Sequence, residues 1–349
     1  MGLLSRHKGF IVFVIVLLAT ASFSLCYYFF LSPPLRSPSE KLILIKRGTP
    51  LKSISALLEE EGIIRNRHAF TLLATVLKGK GDVKAGEYEF HTPLRPLDVL
   101  DTLIRGQVKR HFVTIVEGYT VAQIAQLLDE LNIVGKDVFL KTASSPAFIT
   151  SLGVFDPSAK ATSWSLEGYL FPDTYHFFRE MEAEEVIRIM VHQFKKTVGQ
   201  ELTEKSPLLG MSPRQALVLA SIIEKETPLP VEKPLVSAVF HNRLRLRMPL
   251  QSDPTVIYGL KQFNGNLTRE QLIRPTPYNT YVMQGLPPTP ICNPGKDSIL
   301  AALNPAPVPF LYFVSKNDGS HFFSRTLEEH ADAVRRYQVR GEGSGEQGS

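Results

Sequence analysis

The chain has 349 residues, 44% hydrophobic and 21% charged, long enough for two folded units plus extra segments. That composition excludes a disordered, collagen-like or polytopic membrane protein. Two cysteines, Cys26 and Cys292, are too few for a disulfide framework or a four-ligand zinc site, and the nine histidines show no H-x-x-x-H or H-E-x-x-H spacing. No metal or other cofactor is expected. The net charge of +5 is uneven, with 16 Lys and Arg against 9 Asp and Glu up to Phe112 and 23 against 25 beyond it. These basic residues are dispersed and lack a Gly-rich phosphate loop. The excess therefore reads as a solvated surface near an anionic membrane in preference to a nucleic-acid or other polyanion site.

Gly9 to Leu31 contains no charged residue, and 23 residues rising roughly 1.5 Å each can cross a hydrocarbon core of about 30 Å. Arg6, His7 and Lys8 precede the span; Pro33 and Pro34 stop it. Positive charge before the span predicts residues 1–8 in the cytoplasm, 9–31 as a single transmembrane helix in the cell membrane, and the remainder extracytoplasmic. Tyr27, Tyr28, Phe29 and Phe30 would form its outer aromatic edge. Ala19-Thr20-Ala21 resembles a signal-peptidase site, yet the apolar run continues ten residues beyond it, which favours an uncleaved anchor. Leu25 is not the small residue that lipidation of Cys26 would require.

Residues 32–40 form a proline-rich linker. Leu42–Lys46 predicts a strand, Thr49 and Pro50 an N-cap and first-turn proline for a helix through Glu60, and Asn66 the start of a second helix to about Lys78. Gly-Lys-Gly at 79–81 breaks the chain, and Ala85–Phe90 alternates as a strand. Within a domain over 41–112, this βααβ order resembles the LysM module, which binds N-acetylglucosamine-containing glycans, and equally suits a plain spacer. Pro96–Arg105 predicts a helix, His111–Val116 a strand and Thr120–Leu131 a helix. A Ser-, Thr- and Ala-rich linker is expected from Lys141 to Ser165, and residues 339–349 as a disordered tail. The class is α+β, with a larger α+β catalytic domain over 113–338.

The most informative stretch is 211–230. Ser212 is an N-cap, Pro213 takes the first helical position, and Gln215 completes an S-x-x-Q capping box. An apolar helix follows and ends in two glutamates before Pro228. Glu226 follows Ile223, Ile222 and Leu219 by three, four and seven positions and so extends the most apolar stripe, whereas Glu224 lies on a more mixed face. A carboxyl group pressed against apolar side chains has its pKa raised, as a general acid requires. The other reading is a solvated last turn. Segments 166–175, 251–260, 277–295 and 311–324 mix aromatics with amides and hydroxyls, a mixture that suits sugar binding. Seven prolines between Pro287 and Pro309 predict a long, stiff loop.

Leu219-Ala220-Ser221-Ile222-Ile223-Glu224-Lys225-Glu226-Thr227, Gln251 to Gly259, Tyr278-Asn279-Thr280-Tyr281 and Gly285-Leu286-Pro287-Pro288 together resemble the YceG-like endolytic murein transglycosylases. The resemblance implies a single-pass bacterial membrane protein whose outer part cuts peptidoglycan between N-acetylmuramic acid and N-acetylglucosamine. It matches the family's catalytic glutamate to Glu226. It also implies action on nascent glycan strands, ending their growth, with peptidoglycan synthases or division and elongation proteins as partners. The pair Glu226-Thr227 is similar to the Glu-Ser of lysozyme-like lytic transglycosylases. A hydrolase needs two carboxylates, whereas a lytic transglycosylase uses the muramyl C6 hydroxyl as nucleophile, so one carboxyl group suffices. Candidates for sugar binding are Gln251, Asp253, Tyr258, Tyr278, Asn279 and Tyr281. Asp253 before Pro254 equally suits a turn, and the tyrosines a core. Two rivals are a non-catalytic peptidoglycan-binding scaffold and a hydrolase pairing Glu226 with Asp253.

Overall fold

The computed structural model describes residues 2–28, 32–34, 37–77, 82–154, 164–260 and 263–339. Phe29 to Leu31, the break at 79–81, residues 155–163 of the expected linker and the tail from 340 lie outside the described residues. The chain divides into two units, Met1–Phe112 with His176–Met181, and Val113–Tyr175 with Glu182–Ser349. Among the described residues it mixes helices with three two-stranded sheets, which is the α+β class. The apolar N-terminal stretch is one helix, α1 (Gly2–Cys26), long and apolar enough over Gly9–Cys26 to cross a membrane.

In the first unit, β1 (Ser39–Ile45) pairs antiparallel with β2 (Gly86–Thr92), from Ser39 opposite Thr92 to Ile45 opposite Gly86. Between them run α2 (Leu51–Glu60) and α3 (Arg67–Val76), and α4 (Pro96–Arg105) follows. Alternation in the strands and helical spacing in the helices turn Ile43, Ile45, Ile54, Leu58, Phe70, Tyr88, Phe90, Val99 and Leu103 into one core. Each such side chain contributes about 1.5–3 kcal/mol on burial. Asn66 caps α3 by accepting from Ala69 N at 2.9 Å. The cap of α2 differs from expectation. Pro50 holds the N-cap position, and the Thr49 hydroxyl donates instead to Lys46 O at 2.7 Å. The segment 176–181 belongs here because the Arg179 guanidinium meets the buried Glu87 at 2.7 Å and Arg47 donates to Glu180 O at 2.9 Å. It interrupts the 113–338 span drawn from sequence.

The strands β3 (His111–Thr114) and β4 (Thr174–Phe177) form a two-stranded sheet. The second unit then contains α5 (Val121–Glu130), α6 (Lys136–Ala143), α7 (Pro146–Ser151), α8 (Ala183–Phe194) and α9 (Gln200–Lys205). The expected linker from Lys141 is therefore helical in its first part. Ala143, Phe148 and Ile149 are buried there, and that burial outweighs the turn-forming composition. Next come α10 (Pro213–Glu226), α11 (Lys233–Arg245), α12 (Asp253–Gly259), α13 (Arg269–Ile273) and α14 (Lys296–Leu303). The hairpin β5 (Tyr312–Ser315) and β6 (His321–Ser324) and then α15 (Leu327–Val334) complete it. The proline-rich stretch 287–309 is not one loop, since α14 forms in the proline-free interval between Pro294 and Pro305 and packs on α10. All eight residues from Ala216 to Ile223 are buried, so α10 is the central helix, flanked by α11, α12 and α14.

Candidate active site

The expected capping box forms at the start of α10. Ser212 Oγ accepts from Gln215 N at 3.2 Å, and Gln215 Oε1 accepts from Ser212 N at 2.8 Å. The helix stops at Glu226 because Thr227 is extended and Pro228 follows. Neither terminal glutamate lies in a solvated turn; only Lys225 between them is exposed. Glu224 pairs with the buried Lys233 at 3.1 Å and accepts from Gly295 N at 2.8 Å and Ser298 Oγ at 2.7 Å. Its carboxylate thus anchors the N-terminus of α14.

Glu226 is half-buried, and its Oε1 accepts from the Ser252 hydroxyl. Burial of the carboxyl group pushes its pKa up to about 7; the Ser252 bond opposes the rise, the Asp253 charge adds to it and the Arg243 charge opposes it. Arg243 is 6% exposed. Its Nε donates to Leu311 O at 2.7 Å and its Nη1 to Leu250 O at 2.7 Å, which fixes a cation near Glu226. Tyr281 donates to Asp253 Oδ1 at 2.5 Å, and burial, then Asp253, hold its phenol protonated. Gln251 sits in the left-handed region at φ +51, with its N–H on Thr280 O at 3.0 Å. Backbone strain of this kind clusters at functional sites. Gln251, Asp253 and Tyr281 are therefore grouped with Glu226.

The other three candidates sit differently. Asn279 is fully buried, and its Nδ2 donates to Gln271, Leu272 and Arg274 carbonyls at 2.8–3.2 Å while its Oδ1 accepts from Tyr281 N. It shapes the loop that presents Tyr281 and leaves nothing for a sugar. Tyr278 shares a hydrogen bond with Thr289 at 2.8 Å, and its ring lies 5.0 Å from that of Tyr258. Tyr258 donates to Glu167 Oε2 at 3.0 Å.

Glu167, Ser252 and Arg243 were not singled out from sequence. Glu167 is 3% exposed, and its Oε1 accepts from Val121 N at 2.9 Å and Asn293 Nδ2 at 3.1 Å. Burial pushes its pKa to about 7 against the bonds from Val121 and Tyr258. Next to it Gly168 is at φ +90, where a Cβ would stand 2.6 Å from Pro290, so only glycine lets this segment press on the proline-rich stretch. A cleft of about 710 Å³ opens at the end of α10, lined by Glu117, Asp173, Glu224, Lys225, Thr227 and Lys233 among others, with Glu226 outside its lining. Another of about 720 Å³ runs along α8 and contains no neighbour of Glu226. The one grouping of three metal-type ligands among the described residues, Glu40, Glu89 and His91, lies in the first unit, and its Glu89 already pairs with Lys109 at 2.9 Å.

The model of the YceG-like family matches residues 43–336. The chain belongs to the YceG-like family. It is 32% identical to the endolytic murein transglycosylase of Bacillus subtilis over 84% of each chain. It is 29% identical to that of Streptococcus pneumoniae strain D39 over 92% of its own length, and spans 63% of that longer relative. A crystal structure of a YceG-like protein from Listeria monocytogenes, 33% identical, superposes with a TM-score of 0.59 over 85% of this chain and all of the other. The YceG-like stretch includes every residue of the Glu226 cluster.

Proposed function

We propose that this chain is an endolytic murein transglycosylase, cutting peptidoglycan strands between N-acetylmuramic acid and N-acetylglucosamine and leaving a 1,6-anhydro muramyl end. The observation that carries the reading is the half-buried Glu226 carboxyl, raised to about 7 beside Ser252, in a chain whose relatives carry that name. Protonated Glu226 donates to the glycosidic oxygen as the bond breaks. The resulting carboxylate takes the proton of the C6 hydroxyl, whose oxygen closes on C1, so the proton count balances without water. The fixed Arg243 cation stabilises the intervening carboxylate. Gln251, Asp253 and Tyr281 bind the sugars around the scissile bond. The scaffold reading leaves the desolvation of Glu226 unexplained. For the hydrolase, Asp253 would have to serve as second carboxylate while accepting from Tyr281.

The apolar α1, with Arg6 and Lys8 before its span, supports a single-pass membrane anchor with a cytoplasmic N-terminus and an extracytoplasmic body. The βααβ unit is the candidate glycan reader, and nascent strands beside their synthases are the natural substrate of an anchored enzyme. Mass spectrometry of purified glycan digested by the full-length protein in detergent tests the activity. Ends lighter by one water than reducing ends support it; water-added ends, or no cleavage, contradict it.

A further inference from the structure

Ser252 stands at the N-cap position of α12 but makes no cap bond. A serine there ordinarily accepts from the N–H groups of its own first turn. Here the hydroxyl points to Glu226 instead, across 26 residues of sequence. Its backbone is held by two threonines that also bond each other. Ser252 N donates to Thr280 Oγ1 at 3.0 Å, Thr255 Oγ1 donates to Ser252 O at 2.7 Å, and the two threonine hydroxyls share a bond at 2.8 Å. Ser252, Thr255 and Thr280 are 1%, 0% and 0% exposed. Just before them the strained Gln251 is tied to Thr280 O. A cap forgone, a strained neighbour and a buried hydroxyl lattice all serve to aim one O–H.

We infer that Ser252 is a positioning residue for the reaction, holding Oε1 of Glu226 as an acceptor so that the transferable proton resides on Oε2. The inference rests on the transglycosylase reading. With Oε1 occupied, the carboxyl group cannot rotate freely, and the acid presents one oxygen to the substrate. The same bond favours the carboxylate, offsetting part of the burial that disfavours it. The charged and titratable groups facing Glu226 are Asp253 on α12, Arg243 on α11 and Tyr281 on the loop before the proline-rich stretch.

The test is the pH profile of anhydro-end formation by full-length Ser252→Ala in detergent. Removing a donor from a carboxylate raises its pKa, so the alkaline limb should move up by about one pH unit while kcat falls about tenfold and KM stays within about twofold. Ser252→Thr, which keeps the hydroxyl, should restore the limb. A purely structural serine would lower thermal stability without moving it, and an unmoved limb in folded Ser252→Ala overturns the inference. If that variant does not fold, Ser252→Cys, a weaker donor, decides by the same limb. Glu226→Gln, run in parallel, separates the two failures, because anhydro ends formed by that variant would sink the catalytic reading itself.

Discussion

Glu224 and Lys233 form an ion pair at 3.1 Å with side-chain exposures of 7% and 4%, two residues before a glutamate whose carboxyl faces Ser252 instead. One helix end thus carries two acids with separate tasks. Glu224 ties α10 to α11 and α14. Replacing it by Gln leaves the Lys233 ammonium buried without its counter-charge, which costs about 3 kcal/mol or more. Thermal unfolding of Glu224→Gln should show a melting temperature lowered by several degrees, while the folded fraction still makes anhydro ends. An unchanged melting temperature would remove the structural role given to this acid.

Asn279 tests whether a residue of the YNTY segment serves the loop or the sugar. Its Nδ2 meets three carbonyl oxygens, so Asn279→Asp would set a carboxylate against them in a buried place. A loss of about 3 kcal/mol or more is expected in denaturant unfolding. A stable variant with a raised KM would instead place Asn279 against substrate.

Glu167 carries a pH prediction. Its folded pKa of about 7 lies above the ordinary carboxylate value, so the folded state retains a proton that the unfolded chain has released. The contribution of this group to stability is full below about pH 4.5 and is lost as pH rises towards 7, by about 3 kcal/mol at most. Glu226 acts in the same direction. Glu167→Gln should therefore flatten the fall in stability across that window, with Tyr258 reversing its hydroxyl to accept from the new amide. Glu167→Ala should destabilise at every pH, since the Val121 N–H, the Asn293 amide and the Tyr258 hydroxyl would lose their acceptor. Parallel pH-stability curves for Glu167→Gln and wild type would contradict this.

Local signals are legible in the sequence. Asn66, Ser212 and Gln215 cap helices through contacts three residues apart, and the stripe leading to Glu226 follows from helical spacing alone. Contacts between distant residues were not legible. Ser252 reaches Glu226 across 26 positions, Tyr258 reaches Glu167 across 91 and Asn293 reaches it across 126, and no periodicity encodes such pairs. Asn279 is ambiguous in the sequence because an amide among tyrosines looks the same whether it binds a sugar or its own loop. The helix α14 was hidden by flanking prolines that bound it without entering it. Helices α6 and α7 were hidden by composition, although Phe139 and Phe148 marked a buried face.

In the proposed reaction Glu226 alone supplies both the acid and the base. The most direct measurement is the rate at which full-length Glu226→Gln, with its folding verified by circular dichroism, forms anhydro muramyl ends on purified glycan. Glutamine keeps the shape and accepts from Ser252 but releases no proton, so the rate should fall by at least about a thousandfold, with a melting temperature at neutral pH equal to or above that of wild type. Anhydro ends appearing at the wild-type rate would contradict the account and move the acid elsewhere in the cluster.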